Sequence, residues 1–104
     1  MDEEVARILS HVSNSGIVQM PGRRFPGIVM QGDTLSNVFD SVAFALRDAK
    51  ARRDEESYYE FLMFAETLQG QLEHYESVLV KLGMPLPYSP SIKERLVADD
   101  FGNA

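Results

Sequence analysis

The sequence contains no cysteine. Disulfides and thiolate metal sites are therefore excluded. No apolar run approaches the ~20 residues that a bilayer-spanning helix needs, so no membrane partner is expected. Basic residues are the minority: ten Lys and Arg against sixteen Asp and Glu, a net charge of −6. A chain of this sign gains little from counterion release on nucleic acid. No basic stripe interleaves with the aromatics either, so nucleic acid is not an expected partner. The start Met-Asp-Glu-Glu is the opposite of a basic signal-peptide start, which makes the cytoplasm the expected compartment. Histidine occurs only at His11 and His74. One turn either side of His74 stand Gly70, Gln71, Ser77 and Val78, none a usual metal ligand. No metal and no cofactor is expected.

The 104 residues correspond to one domain by size. Charged residues at 25% and hydrophobic residues at 44% are ordinary for a soluble globular protein. An acidic surface suits a basic protein partner through association rate and specificity. Solubility alone would explain the same charge.

Short strand signals fill the first third. Residues 4–10 fit either a short helix, through Val5, Ile8 and Leu9, or a strand before the turn-rich Ser13, Asn14, Ser15 and Gly16. Ile17, Val18, Gln19 and Met20 form a clearer strand, stopped by Pro21 and Gly22. Pro26 and Gly27 precede a third, Ile28 to Gln31. Short loops between them predict an antiparallel meander.

Two helices follow. Gly32 and Asp33 end the strands, and Asp33 is read as a helix N-cap. Leu35, Val38, Val42, Ala45 and Ala49 recur at helical spacing, with Phe39 and Leu46 widening the stripe. The switch from Lys50, Arg52 and Arg53 to Asp54, Glu55 and Glu56 predicts a tight turn near 52–54. No Gly or Pro enforces that turn, so one continuous helix is the alternative. The second helix, 54–82, carries two rows seven apart: Tyr58, Ala65, Leu72 and Leu79, then Phe61, Leu68, Tyr75 and Leu82. Leu62, Phe64 and Val78 broaden the seam. The first helix is too short to cover the whole seam, so a homodimer through it is one expectation. Gly83 suits the helix end, and Pro85, Pro87 and Pro90 make an extended arm from which Leu86 and Tyr88 could pack back. Ser91 and Glu94 have capping-box spacing for one or two further helical turns. Residues 99–104 are polar and expected to fray.

The expected fold is therefore α+β. A small three-stranded antiparallel sheet over residues 4–31 packs on an antiparallel two-helix hairpin, 34–52 and 54–82. Together they form one domain over 1–90, with a C-terminal arm at 91–104.

No catalytic set stands out. Ser36, Ser41 and Ser57 lie on helices without a base and an orienting group, and the acids at 54–56 read as helix-start charges. No enzyme is expected. Arg23, Arg24 and Phe25 are the candidate contacts, for a protein or for an anion held with the helix start at Asp33. Gln31 to Thr34 lacks the full phosphate-loop pattern and its lysine, and Asp33 places a negative charge where the anion would sit. An arginine–Asp33 salt bridge is the structural alternative. Pro21, Gly22, Pro26, Gly27, Gly32 and Asp33 are read as shaping the backbone.

The run Met20-Pro-Gly-Arg-Arg-Phe-Pro-Gly27, followed by Gln31-Gly-Asp-Thr-Leu35, resembles a family of small uncharacterised bacterial proteins. Its pattern is PGRRFPG, an apolar strand, QGD[ST]L and two helices. A Gly-apolar-Pro-Tyr-like tail in that family is similar to Gly83–Tyr88 here. The resemblance covers about residues 5–88, and 91–104 extend beyond it. It supports a strand rather than a helix at 5–9, and it implies no catalytic residue. From these readings the expected function is non-catalytic protein binding, of an immunity or antitoxin-like kind that masks a partner. A small anionic-ligand sensor and a structural homodimer are the alternatives.

Overall fold

A computed structural model describes residues 5–12 and 15–99, with side chains described to residue 95. The fold is α+β: a three-stranded antiparallel sheet, then two packed helices. The chain divides into two compact units, residues 1–31 and 32–104. Among the described residues no helix is long and apolar enough to cross a membrane.

The first unit is the sheet. Its strands are β1 (Arg7–Ser10), β2 (Gly16–Gln19) and β3 (Gly27–Val29), in the order β1-β2-β3. The first segment is thus a strand and not the short helix that Val5, Ile8 and Leu9 also allow. Ile8 pairs with Val18 and Ser10 with Ile17, so the register slips around Leu9 and the edge is bulged. Ile17 pairs with Ile28, and Val18 with Gly27. Among the described residues of this unit none is buried, and Ile8 and Ile28 are exposed. Ser13 and Asn14, expected in the first turn, lie outside the described residues.

The second unit is helical. Helix α1 (Gly32–Ala51) and helix α2 (Glu55–Leu82) pack along each other. The α2 row Tyr58, Ala65, Leu72 and Leu79 is buried throughout. In the companion row Leu68 is buried, Phe61 and Tyr75 are half-buried, and Leu82 is exposed. On α1 the buried line is Ser36, Phe39, Ala43, Leu46 and Ala49. This corrects the sequence reading: Leu35, Val38, Val42 and Ala45 form the flank of the stripe and not its centre. Phe39 and Ala43 are the α1 members of the buried cluster that Ala65, Leu68 and Leu72 of α2 complete.

The turn between the helices is a break and not a continuous helix. Arg53 takes a left-handed φ of 58°, its amide donates to Lys50 O at 3.1 Å, and the Asp54 amide donates to Ala49 O at 3.0 Å. That pair of bonds is a Schellman motif. Asp54 then caps α2 by accepting the Ser57 amide at 3.2 Å. Gly83 closes α2 with the same motif, through amides to Val80 O and Leu79 O.

Helix α3 (Ile92–Asp99) follows the proline arm. Ser91 caps it, its hydroxyl accepting the Glu94 amide at 3.2 Å. Ile92 is fully buried in a cluster with Phe39, Leu68 and Leu72, and Tyr88 packs against that cluster. The polar tail expected to fray lies, from residue 100 onward, outside the described residues.

Candidate functional site

The connection between β2 and β3 is built as a rigid loop. Pro21 fixes one central φ of a turn, and Gly22 occupies the next position with φ 75°. The Arg23 amide returns to Met20 O at 3.3 Å, which closes a type II turn. A Cβ at Gly22 would meet nothing within 4 Å, so the glycine is there for its dihedral and not for space. The Gln19 side-chain amide spans the turn, donating to Met20 O at 3.4 Å and to Arg23 O. Pro26 and Gly27 then lead into β3.

This backbone displays the three candidates. Arg23, Arg24 and Phe25 are all exposed. The Arg24 guanidinium lies over the Phe25 ring, 5.2 Å from its centroid. Phe25 keeps 71% of its surface in solvent. The Arg23 side chain makes no hydrogen bond or ion pair among the described residues.

Gly32 and Asp33 belong to the second unit, and the arginines to the first. The helix begins at Gly32, earlier than the spacing predicts, so Asp33 sits inside the first turn instead of at the N-cap. Its carboxylate accepts the Thr34 amide at 2.9 Å. It still places a negative charge at the positive end of the helix dipole. Gly32 is buried, and its need for glycine is steric: an ideal Cβ would overlap the Tyr75 ring, 2.6 Å from its Oη.

Two polar anchors escaped the sequence reading. Glu76 is buried, and its Oε2 accepts both Tyr88 Oη at 2.7 Å and the Ile92 amide at 2.8 Å. Burial, and then the bond to Glu76, raise the Tyr88 phenol well above its ordinary range. Arg95 lies between the rings of Phe39 and Tyr88 and donates to Asp40 at 2.9 Å. Its Nε and Nη2 are buried with no hydrogen-bond partner among the described residues. The only signal for Glu76 was its place at a buried-row spacing, four residues after Leu72. His74 is exposed, and among the described residues no three His, Asp or Glu side chains converge as metal ligands.

The two units differ in charge. Residues 1–31 carry Asp2, Glu3 and Glu4 against Arg7, Arg23 and Arg24, whereas residues 32–104 carry thirteen acidic and seven basic residues. A groove of about 510 Å³ runs between α1 and α2, with Val38, Val42 and Ala45 on one wall and Phe61, Phe64 and Glu60 on the other.

A family model described as a family of unknown function (DUF6959) matches residues 1–88, and the chain belongs to that family. The match ends at Tyr88, before α3. No curated protein and no solved structure matches the chain.

Proposed function

We propose that this member of the family is a non-catalytic protein-binding module that masks a partner, in the manner of an immunity protein or antitoxin. One observation carries the reading: Phe25, 71% exposed, is displayed beside Arg24 on a loop whose backbone is fixed by Pro21, Gly22 and Gln19. Aromatic and arginine side chains dominate interface hot spots. A loop already held in one shape loses little entropy on binding. No packing role within its own unit accounts for an exposed ring stacked with an arginine. On this reading the protein works in a bacterial cytoplasm and needs no cofactor.

The α2 seam supports this reading over a structural homodimer. Its central row, Tyr58 to Leu79, is buried within the helical unit itself. Affinity capture from the source cells tests the proposal. The wild-type chain should retain a partner that the Arg24→Ala/Phe25→Ala variant loses, with the two chains equally stable. Equal capture by both, or normal growth of a deletion strain beside sister cells carrying every neighbouring toxin gene, overturns it.

A further inference from the structure

The groove on the helical unit has a definite chemistry. Val38, Val42, Ala45 and Phe61 make its apolar walls, and Phe64, 53% exposed, stands at its edge. Among the described residues Glu60 is its one charged lining residue, and no lysine or arginine lines it. Along α1, the stretch from Val38 to Ala45 spans about 10 Å, two helical turns. That is the length over which an amphipathic helix presents side chains at i, i+4 and i+7 to a groove.

We infer that the α1–α2 groove is a docking surface for a basic amphipathic helix of a partner protein. Charge complementarity selects this occupant. The groove meets its ligand with Glu60 from a unit that holds thirteen acidic and seven basic residues. A helix with apolar anchors and flanking lysine or arginine satisfies both walls and edge. A second copy does not fit as well, because a two-fold contact would set one acidic helical unit against another. A small ligand is disfavoured because Ser41 and Glu60 are the polar residues described in the groove lining, and the Ser41 hydroxyl already donates to Asn37 O. The inference rests on the protein-binding reading and adds the chemistry of the partner.

Three synthetic amphipathic peptides of about four turns, with the same leucine face and a polar face of lysine, glutamate or glutamine, provide the probe. Each is titrated into the full chain by fluorescence anisotropy, with the binding site located by backbone amide shifts. The lysine peptide should bind at least about tenfold more tightly than the glutamate peptide, and more weakly at high salt. Phe64→Ala should weaken it by about tenfold or more, and Glu60→Lys should invert the order of the charged peptides. Phe64 is more than half exposed, so its variant should remain folded by circular dichroism. Equal binding of the lysine and glutamate peptides, lysine-peptide binding undiminished by Phe64→Ala, or shifts confined to other surfaces overturns the inference. So does a concentration-dependent dimer that Phe64→Ala abolishes. If a partner captured from cells depends on Phe25 but not on Phe64, the groove inference falls while the protein-binding reading stands.

Discussion

Glu76 and Tyr88 are twelve residues apart and joined by a 2.7 Å hydrogen bond from the phenol to the carboxylate. The same carboxylate oxygen takes the first amide of α3, from Ile92. One buried acid on α2 therefore fastens the whole C-terminal arm. The Tyr88 ring continues the contact by stacking on Tyr75, with centroids 6.5 Å apart.

Removing that acceptor should loosen the arm. Glu76→Ala strands the Tyr88 hydroxyl and the Ile92 amide, each costing about 1–3 kcal/mol when left unsatisfied in a buried site. Glu76→Gln keeps an acceptor oxygen and should cost less than half as much. Urea denaturation measures the order of the two variants. Hydrogen exchange should show the α3 amides losing protection before those of α1. Equal stability of all three proteins would refute the anchoring role.

Arg53 holds a left-handed backbone that favours glycine. A non-glycine residue pays about 1–2 kcal/mol for that conformation, partly offset by the extra freedom glycine gains in the unfolded chain. Arg53→Gly should therefore raise stability by roughly 0.5–1 kcal/mol. Gly83 has the same conformation at the end of α2, so Gly83→Ala should lower stability by about 1 kcal/mol. Thermal unfolding of the two variants should show shifts of opposite sign.

The approach of Tyr75 to Gly32 predicts a sign reversal. Gly32→Ala drives a methyl group into the Tyr75 ring and should destabilise by about 1–3 kcal/mol. With Tyr75→Ala already present the overlap is gone. The alanine then contributes only its helix propensity, worth up to about 1 kcal/mol in favour of folding. A double-mutant cycle in urea reads the coupling. Additive effects would show that the ring is not what requires the glycine.

Asp54 links the helix turn to pH. Hydrogen bonds from Ser57 hold its carboxyl below the ordinary 3.8, with help from the Arg52 charge. A depressed folded value means that the unfolded chain takes up the proton first. The contribution is complete above 3.8 and fades as the pH falls through and below it. Asp54→Asn should flatten this acid limb, because it lowers stability near neutrality more than at the foot of the limb. Denaturation midpoints between about pH 6 and pH 3 test the sign. An unchanged acid limb in the variant would contradict it.

Much of this architecture was legible because its signals are local. Pro21 and Gly22 prescribe a turn through their own dihedrals, and a type II turn is present. The switch from Lys50 and Arg53 to Asp54 and Glu55 marked the helix break, although no glycine stood there. The row from Tyr58 to Leu79 followed from heptad spacing alone. The candidate loop was legible as backbone, and the stacking of Arg24 on Phe25 was not, since it depends on side-chain placement.

Other features were decided by contacts distant in sequence. The α1 stripe offered two adjacent rows, and packing against Ala65, Leu68 and Leu72 of α2 put Phe39 in the core and left Val38, Val42 and Ala45 on the groove wall. Glu76 reads as an exposed acid until Tyr88 and Ile92 fold back to supply its donors. Gly32 reads as a strand terminator, whereas the Tyr75 ring is what forbids a side chain there. Sequence by itself determined where the chain turns, extends and coils, because dihedral preference and apolar spacing act within a few residues. Tertiary structure decided which face became core, which became groove and which polar groups were buried, because those depend on the element that arrives to cover them.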